Sequence, residues 1–198
     1  TGLYPRDGYI LGISMAVEDE TAVYISTDCI DEEIVDEMQS MFREKGVIMH
    51  NAKFDLAMLE YHFNFEFPNI DDTMLMSFCL NGGKHGHGMD TLSSRYLDYD
   101  PISIKELIGS GKTAKTFDKV PIEKASMYAC EDADITLRLW LIFKPSLIKN
   151  KVTSVYETLE RPLISVLQKM EETGVIVDRT HLQEMSNKLA KKNDRIRK

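Results

Sequence analysis

Two short stretches of this chain carry residue types at spacings that could perform hydrolytic chemistry. In Asn51-Ala52-Lys53-Phe54-Asp55 an amide and a carboxylate stand four apart, and in Tyr128-Ala129-Cys130-Glu131-Asp132-Ala133-Asp134 a phenol and a carboxylate do the same. In a helix, residues four apart share a face, so Asn51 pairs with Asp55 and Tyr128 with Asp132. A phenol and a carboxylate aligned in this way can orient a water beside a bound divalent cation. Asp134 lies two residues beyond Asp132 and is expected to point roughly opposite. Each pattern also has a plainer reading, in which Asn51 caps a helix and Asp132 is surface charge. Spacing alone leaves both readings open.

These residues need elements to hold them. Tyr9–Val17 and Thr21–Ser26 read as two strands separated by the acidic turn Glu18-Asp19-Glu20. Ile34–Phe42 reads as a helix, because Ile34, Val35, Met38 and Phe42 share one face. Gly46 ends it, and Val47–Met49 is a short buried strand that delivers the chain to His50-Asn51 and the next helix. Asp71 or Asp72 can cap a helix over Thr73–Leu80, and Asn81–Gly88 is a glycine-rich loop. The longest helix is predicted from Pro121 to about Ile148, with the proline at its first position. Strands alternating with helices place residues 1–150 in the α/β class. A strand end leading directly into Asn51 and Asp55 puts them at the crevice where such folds hold their sites. A separate amphipathic stretch follows, with Val155, Leu159, Leu163, Val166, Leu167 and Met170 on one face and Gly174 at its end. The predicted domain boundary therefore lies near residue 150.

Composition excludes several classes. The 198 residues suffice for one well-buried domain and part of a second. No apolar run approaches the roughly 18 residues that span a bilayer, so no membrane partner is expected. Cys29, Cys79 and Cys130 lack metal or disulfide spacing, which points to a reducing cytoplasm. A net charge of −8 argues against a basic nucleic-acid coat protein but not against a nuclease that gathers carboxylates. Residues 188–198 carry six basic side chains against Asp194 alone; a solvated helix face explains them more simply than a phosphate contact. His85 and His87 lack a third ligand nearby, Cys130 reads as a small core residue, and Glu131 as an exposed or supporting carboxylate. Lys105, Lys112, Lys115, Lys119 and Lys124 could steer a polyanion or simply be solvated, since acids are interspersed among them.

Taken together, the segments resemble the 3′→5′ exonuclease domain of family A DNA polymerases. VIMHNAKFDLAML is similar to that family's second exonuclease motif and MYACEDADITLRLW to its third. DDTMLMSFCLNGG, MDTLSSRYL and IKELIGSGKTAKTF resemble the segments between them. YETLERPLISVLQKMEETGVIVD resembles the stretch that leads into the polymerase thumb. The resemblance implies an RNase H-like mixed sheet with flanking helices over residues 1–150 and the beginning of a polymerase domain over 151–198. It implies a DEDD-type exonuclease of the tyrosine subclass, using two Mg²⁺ or Mn²⁺ ions held about 3.5–4 Å apart by four carboxylates. By position, Asp55 and Asp132 are two of those carboxylates, Tyr128 orients the water, and Asn51 supports the site or contacts substrate. Leu3 matches a leucine that wedges against the terminal base, and Ile104 stands where relatives stack an aromatic residue on the strand end. The implied partners are a single-stranded DNA 3′ end and a polymerase domain on the same polypeptide, and a monomer is expected.

One departure bears on activity. The family's first motif, Asp-x-Glu, would fall immediately before Thr1, and it is not in this sequence. Half of the expected anionic ligands are then missing, and Mg²⁺ binding by the remainder should be poor. The strand expected to carry that motif is central to the sheet, so the Tyr9–Ser26 hairpin and the Val47–Met49 strand are predicted to lack a common neighbour. The competing expectation is a catalytically silent scaffold that only supports a polymerase.

Overall fold

A computed structural model describes residues 7–111 and 114–196. Leu3 lies outside them. The chain divides into two compact units, residues 1–168 and 169–198.

The first unit opens with an antiparallel hairpin, β1 (Gly12–Glu18) and β2 (Thr21–Ser26). β1 begins later than the sequence suggests, because the carbonyls of Ile10 and Leu11 are taken by Thr27 instead of by β2. Gly12 is required where it stands: a Cβ there would lie 2.3 Å from the Tyr24 ring. Helix α1 (Glu32–Glu44) starts at Asp31, whose carboxylate accepts the Ile34 N–H, and buries Met38 and Phe42. β3 (Val47–Met49) pairs in parallel with β4 (Ile70–Asp72), an element the sequence reading did not distinguish from the cap of the following helix. Between them lies α2 (Ala52–Phe63), followed after β4 by α3 (Thr73–Asn81), α4 (Met89–Leu97) and the short α5 (Ile104–Ile108).

The long helix α6 (Ile122–Lys149) is the spine. Pro121 sits just before its first turn. One face of α6 meets β1 and β2, and another meets α3 and α4. Ile135, Leu139, Phe143 and Leu147 are fully buried there with Met76 and Leu92. A second cluster joins Met49, Ala52 and Leu56 to Ile164, and a third sets Phe42 edge-on to Phe65 and tilted against Phe67, with Ile13 and Met15 of the hairpin packed on it.

The compact unit continues past the end of α6. A helical turn α7 (Thr153–Val155) widens into a π-turn over Tyr156–Glu160 before α8 (Arg161–Thr173). Pro162 has no N–H to offer the carbonyl of residue 158, which accounts for the wider turn. Tyr156, Ile164 and Gln168 are buried in the first unit, so residues 151–168 are integral to it although the sequence boundary falls near 150. The second unit contains α9 (Arg179–Ile196), capped by the Asp178 carboxylate on the His181 N–H, after Gly174 (φ +69°) ends α8.

Among the described residues the strands form two separate pairs, β1–β2 and β3–β4. The facing edges of β1 and β3 have no strand partner. No described helix is long and apolar enough to cross a membrane.

Candidate active site

A cleft of about 720 Å³ opens between the hairpin, β3, α2 and α6, and its lining includes Asp55, Tyr128 and Asp132. Three elements converge to put them there. β3 ends at Met49, and the chain reverses at Asn51 in the left-handed conformation (φ +65°, ψ +51°) before entering α2. Asp55 then falls one turn into that helix. Tyr128 and Asp132 are successive turns of α6, so the four-residue spacing aligns them as the sequence predicts, and the phenol hydroxyl donates to the Asp132 carboxylate.

Burial pushes the Asp55 carboxyl up to about 7, with the charges of Asp72 and Asp132 adding to the effect. Burial also raises Asp132 to about 7, helped by Glu131 and Asp90 and opposed by the Tyr128 hydrogen bond. Tyr128 is raised in turn, first by burial and then by the Asp132 charge, so it stays a neutral phenol. Two carboxyls that ionise reluctantly beside one another are what a cation is needed to relieve.

Four of the other carboxylates nearby are engaged by hydrogen-bond donors or cations, and a fifth, Asp90, is exposed to water. Asp72 accepts from the amides of Asn51, Ala52, Met74 and Leu75 at 2.8–3.3 Å. Asp71 accepts from Trp140, Lys144 and Tyr156. Glu131 binds the Tyr99 hydroxyl and the Ile102 amide at 2.5 and 2.7 Å. Asp134, opposite Asp132 as expected, accepts the Glu20 amide at 2.7 Å and pairs with Arg138. Among the described residues no hydrogen bond or ion pair reaches Asp55, and Asp132 has only the phenol. These two are oxygen donors of the kind that Mg²⁺ and Mn²⁺ prefer, and they fit part of such a site. No group of three or more His, Cys, Asp or Glu able to hold a metal occurs among the described residues.

The remaining expected residues are placed as follows. Asn51 is the residue before α2 and not part of it, so the shared helix face predicted for it with Asp55 does not exist. It is exposed, and its side chain makes no capping bond. Asp72 performs the capping predicted for Asp71 or Asp72, on α3 and on α2 together. Ile104 opens α5 at 38% exposure and is not part of the cleft lining. The loop before it is fastened by Glu131, the neighbour of Asp132, a role the sequence did not reveal. His87 bonds Ser77 and His85 approaches Tyr96, which leaves the histidine loop a local polar cluster.

The family model for the 3′-5′ exonuclease of DNA polymerase A matches residues 1–148. The chain is 46% identical over 155 residues to DNA polymerase I of Rhizobium leguminosarum, covering 77% of this chain and 15% of that protein. It is 30% identical over 207 residues to the DNA polymerase of Escherichia phage T5, covering 96% of this chain and 24% of that one. The chain thus spans a quarter or less of these relatives' length. In fold it is similar to the POL domain of Pol1 from M. smegmatis, solved with DNA primer-template and dNTP (TM-score 0.74, 19% identity, 93% of this chain and 29% of that one). It is also similar to Brucella melitensis NrnC with bound Mg²⁺ (TM-score 0.67, 22% identity, 89% and 84%).

Proposed function

The chain belongs to the 3′-5′ exonuclease family of DNA polymerase A, and from that premise we propose that it forms the metal-dependent proofreading site of a DNA polymerase I. The observation that carries this reading is the meeting of Asp55, Asp132 and Tyr128 in the lining of one cleft, with both carboxyls raised by burial to about 7.

Asp55 and Asp132 would each give oxygen ligands to divalent cations, Mg²⁺ or Mn²⁺. Such ions, when bound, polarise the scissile phosphodiester and make water a better nucleophile at neutral pH. Tyr128 donates its proton to Asp132, so its oxygen lone pairs remain to accept from a water and aim it at phosphorus. Water then attacks in line, the bond to the preceding 3′ oxygen breaks, that oxygen takes up a proton, and a nucleoside monophosphate leaves. A further strand bearing Asp-x-Glu, expected from the family resemblance, would supply the remaining ligands. The unpaired β1 and β3 edges on either side of the cleft support that reading. The substrate is proposed to be the frayed 3′ end of a DNA primer, with Ile104 and Leu3 against its last bases and Asn51 beside the site. We place residues 151–198 at the start of the polymerase portion.

The test is degradation of a 3′-mismatched primer with Mg²⁺ or Mn²⁺ by the full-length polypeptide, with Asp132→Ala as control. Metal-dependent release of single nucleotides that the substitution abolishes is expected. A folded, polymerase-active protein that leaves the primer intact would favour the scaffold reading.

A further inference from the structure

Helix α2 presents Asp55 to the cleft, so whatever fixes the start of α2 fixes Asp55. That start is unusual. Asn51 adopts a left-handed conformation that non-glycine residues rarely take, and its own side chain supplies no cap. The cap comes from Asp72, across the parallel strand pair. Oδ2 of Asp72 accepts the Ala52 N–H at 2.8 Å and Oδ1 accepts the Asn51 N–H at 3.3 Å, while Oδ1 also takes the first amides of α3. One carboxylate thus pins the N-termini of two helices, and it is 3% exposed.

Asp72 is itself held from a distant part of the chain. Its backbone N–H donates to the Tyr156 hydroxyl at 2.9 Å, and that hydroxyl donates onward to Oδ1 of Asp71, also at 2.9 Å. Tyr156 is completely buried. Successive residues of a strand face opposite ways, so Asp71 and Asp72 look to opposite sides of β4. Asp71 engages Trp140, Lys144 and Tyr156, and Asp72 engages the helix starts. The tyrosine hydroxyl is the atom that bonds to both residues at once. It lies beyond residue 148, where the exonuclease family match ends.

We propose that Tyr156 is a positioning residue for Asp55: its hydroxyl, lodged between the Asp71 carboxylate and the Asp72 amide, sets the carboxylate that fixes the first turn of α2. The segment after α6 therefore helps to build the site as well as to connect it onward. This rests on the reading of Asp55 as a functional carboxylate.

The test is Tyr156→Phe in the full-length polypeptide, a change that keeps the ring and removes only the hydroxyl. Amide hydrogen exchange is followed over residues 50–56, alongside steady-state cleavage of a mismatched primer with Mg²⁺. Exchange at Asn51 and Ala52 should quicken about tenfold, because a buried bond in their support is lost. kcat should fall about threefold to tenfold with KM unchanged. Trp140→Phe removes a different buried bond to the same Asp71 and should alter neither readout, which separates positioning from general loosening. Asp72→Asn, which removes the charge directly, should exceed Tyr156→Phe in both. Unaltered exchange at residues 50–56 in Tyr156→Phe would overturn the proposal whatever happens to activity, as would an equal effect from Trp140→Phe. Quickened exchange in a protein whose wild type digests no DNA would uphold the tie to α2 and sink the exonuclease reading instead.

Discussion

Replacing Asp132 by asparagine should stabilise the cation-free protein at alkaline pH while abolishing cleavage. Burial and neighbouring charge raise the folded-state carboxyl from 3.8 to about 7. A group whose pKa is raised on folding binds its proton more readily in the folded chain. Its contribution is therefore fully present below about pH 4 and is lost as pH rises through 7. A shift of this size corresponds to about 4 kcal/mol at most, and partial exposure to water reduces it. Asparagine keeps an oxygen for the Tyr128 hydroxyl and carries no charge to desolvate. In EDTA, the difference in urea-unfolding free energy between Asp132→Asn and wild type should rise progressively between about pH 4 and pH 7 and then level off. At pH 9 it should have grown in favour of the variant by about 1–3 kcal/mol. Asp55→Asn should behave alike, because its carboxyl is raised to about 7 for the same reason. The two gains should not add, since each charge is part of the other's burden. Adding Mn²⁺ should stabilise wild type and leave both variants unmoved. A variant less stable than wild type at pH 9 in EDTA would refute the argument that these carboxyls are held at the fold's expense.

Three further outcomes follow from the geometry. Asp71→Ala should cost about 1–3 kcal/mol in urea unfolding, because it leaves the Trp140 indole N–H and the Tyr156 hydroxyl without their acceptor while Lys144 keeps Glu157. Asp134→Ala releases the Glu20 amide and the Arg138 pair at the hairpin turn; it should cost about 1 kcal/mol and quicken proteolysis between β1 and β2, while primer cleavage stays within about twofold. If Ile104 meets the strand end, Ile104→Phe should lower KM for single-stranded 3′ ends by an amount equivalent to about 1–3 kcal/mol, with kcat unchanged.

The parts of the fold that were legible in the sequence are those in which one periodic signal dominates. β2, β3 and the helices α1, α3 and α6 lie where alternation, apolar spacing and Pro121 put them. β4 was obscured because a three-residue strand ending in two aspartates presents no apolar alternation; its identity comes from pairing with β3, a contact between distant residues. The end of the first compact unit was hidden for a related reason. Val155, Leu159, Leu163, Val166, Leu167 and Met170 read as one apolar face of an amphipathic stretch, and all six are 39–63% exposed. Tyr156, Ile164 and Gln168, on the other side of the same stretch, are the residues that dock.

The site exposes a different limit. Motif spacing singled out Tyr128 and Asp132 correctly as neighbours, since a helix converts spacing into direction without help from the rest of the fold. It misplaced Asn51, because a left-handed turn breaks the helical geometry one residue before α2 begins. More generally, seven carboxylates of the described residues lie around this cleft or directly behind it, and composition gives no means to rank them. What ranks them is the supply of donors. Asp71, Asp72, Glu131 and Asp134 each meet backbone amides, an indole, phenols or basic side chains, and those bonds come from residues 20 to 114 positions away as well as from close by. A carboxylate with its hydrogen bonds filled is a structural part and has little to offer a cation. Asp90 has no partner among the described residues but is exposed to water outside the cleft lining, whereas Asp55 and Asp132 line the cleft with nothing in the described fold to neutralise them, and burying unneutralised charge is costly unless a ligand arrives. The proposed pair is therefore distinguished by being buried in the cleft without neutralising partners, which neither carboxylate's own type could signal.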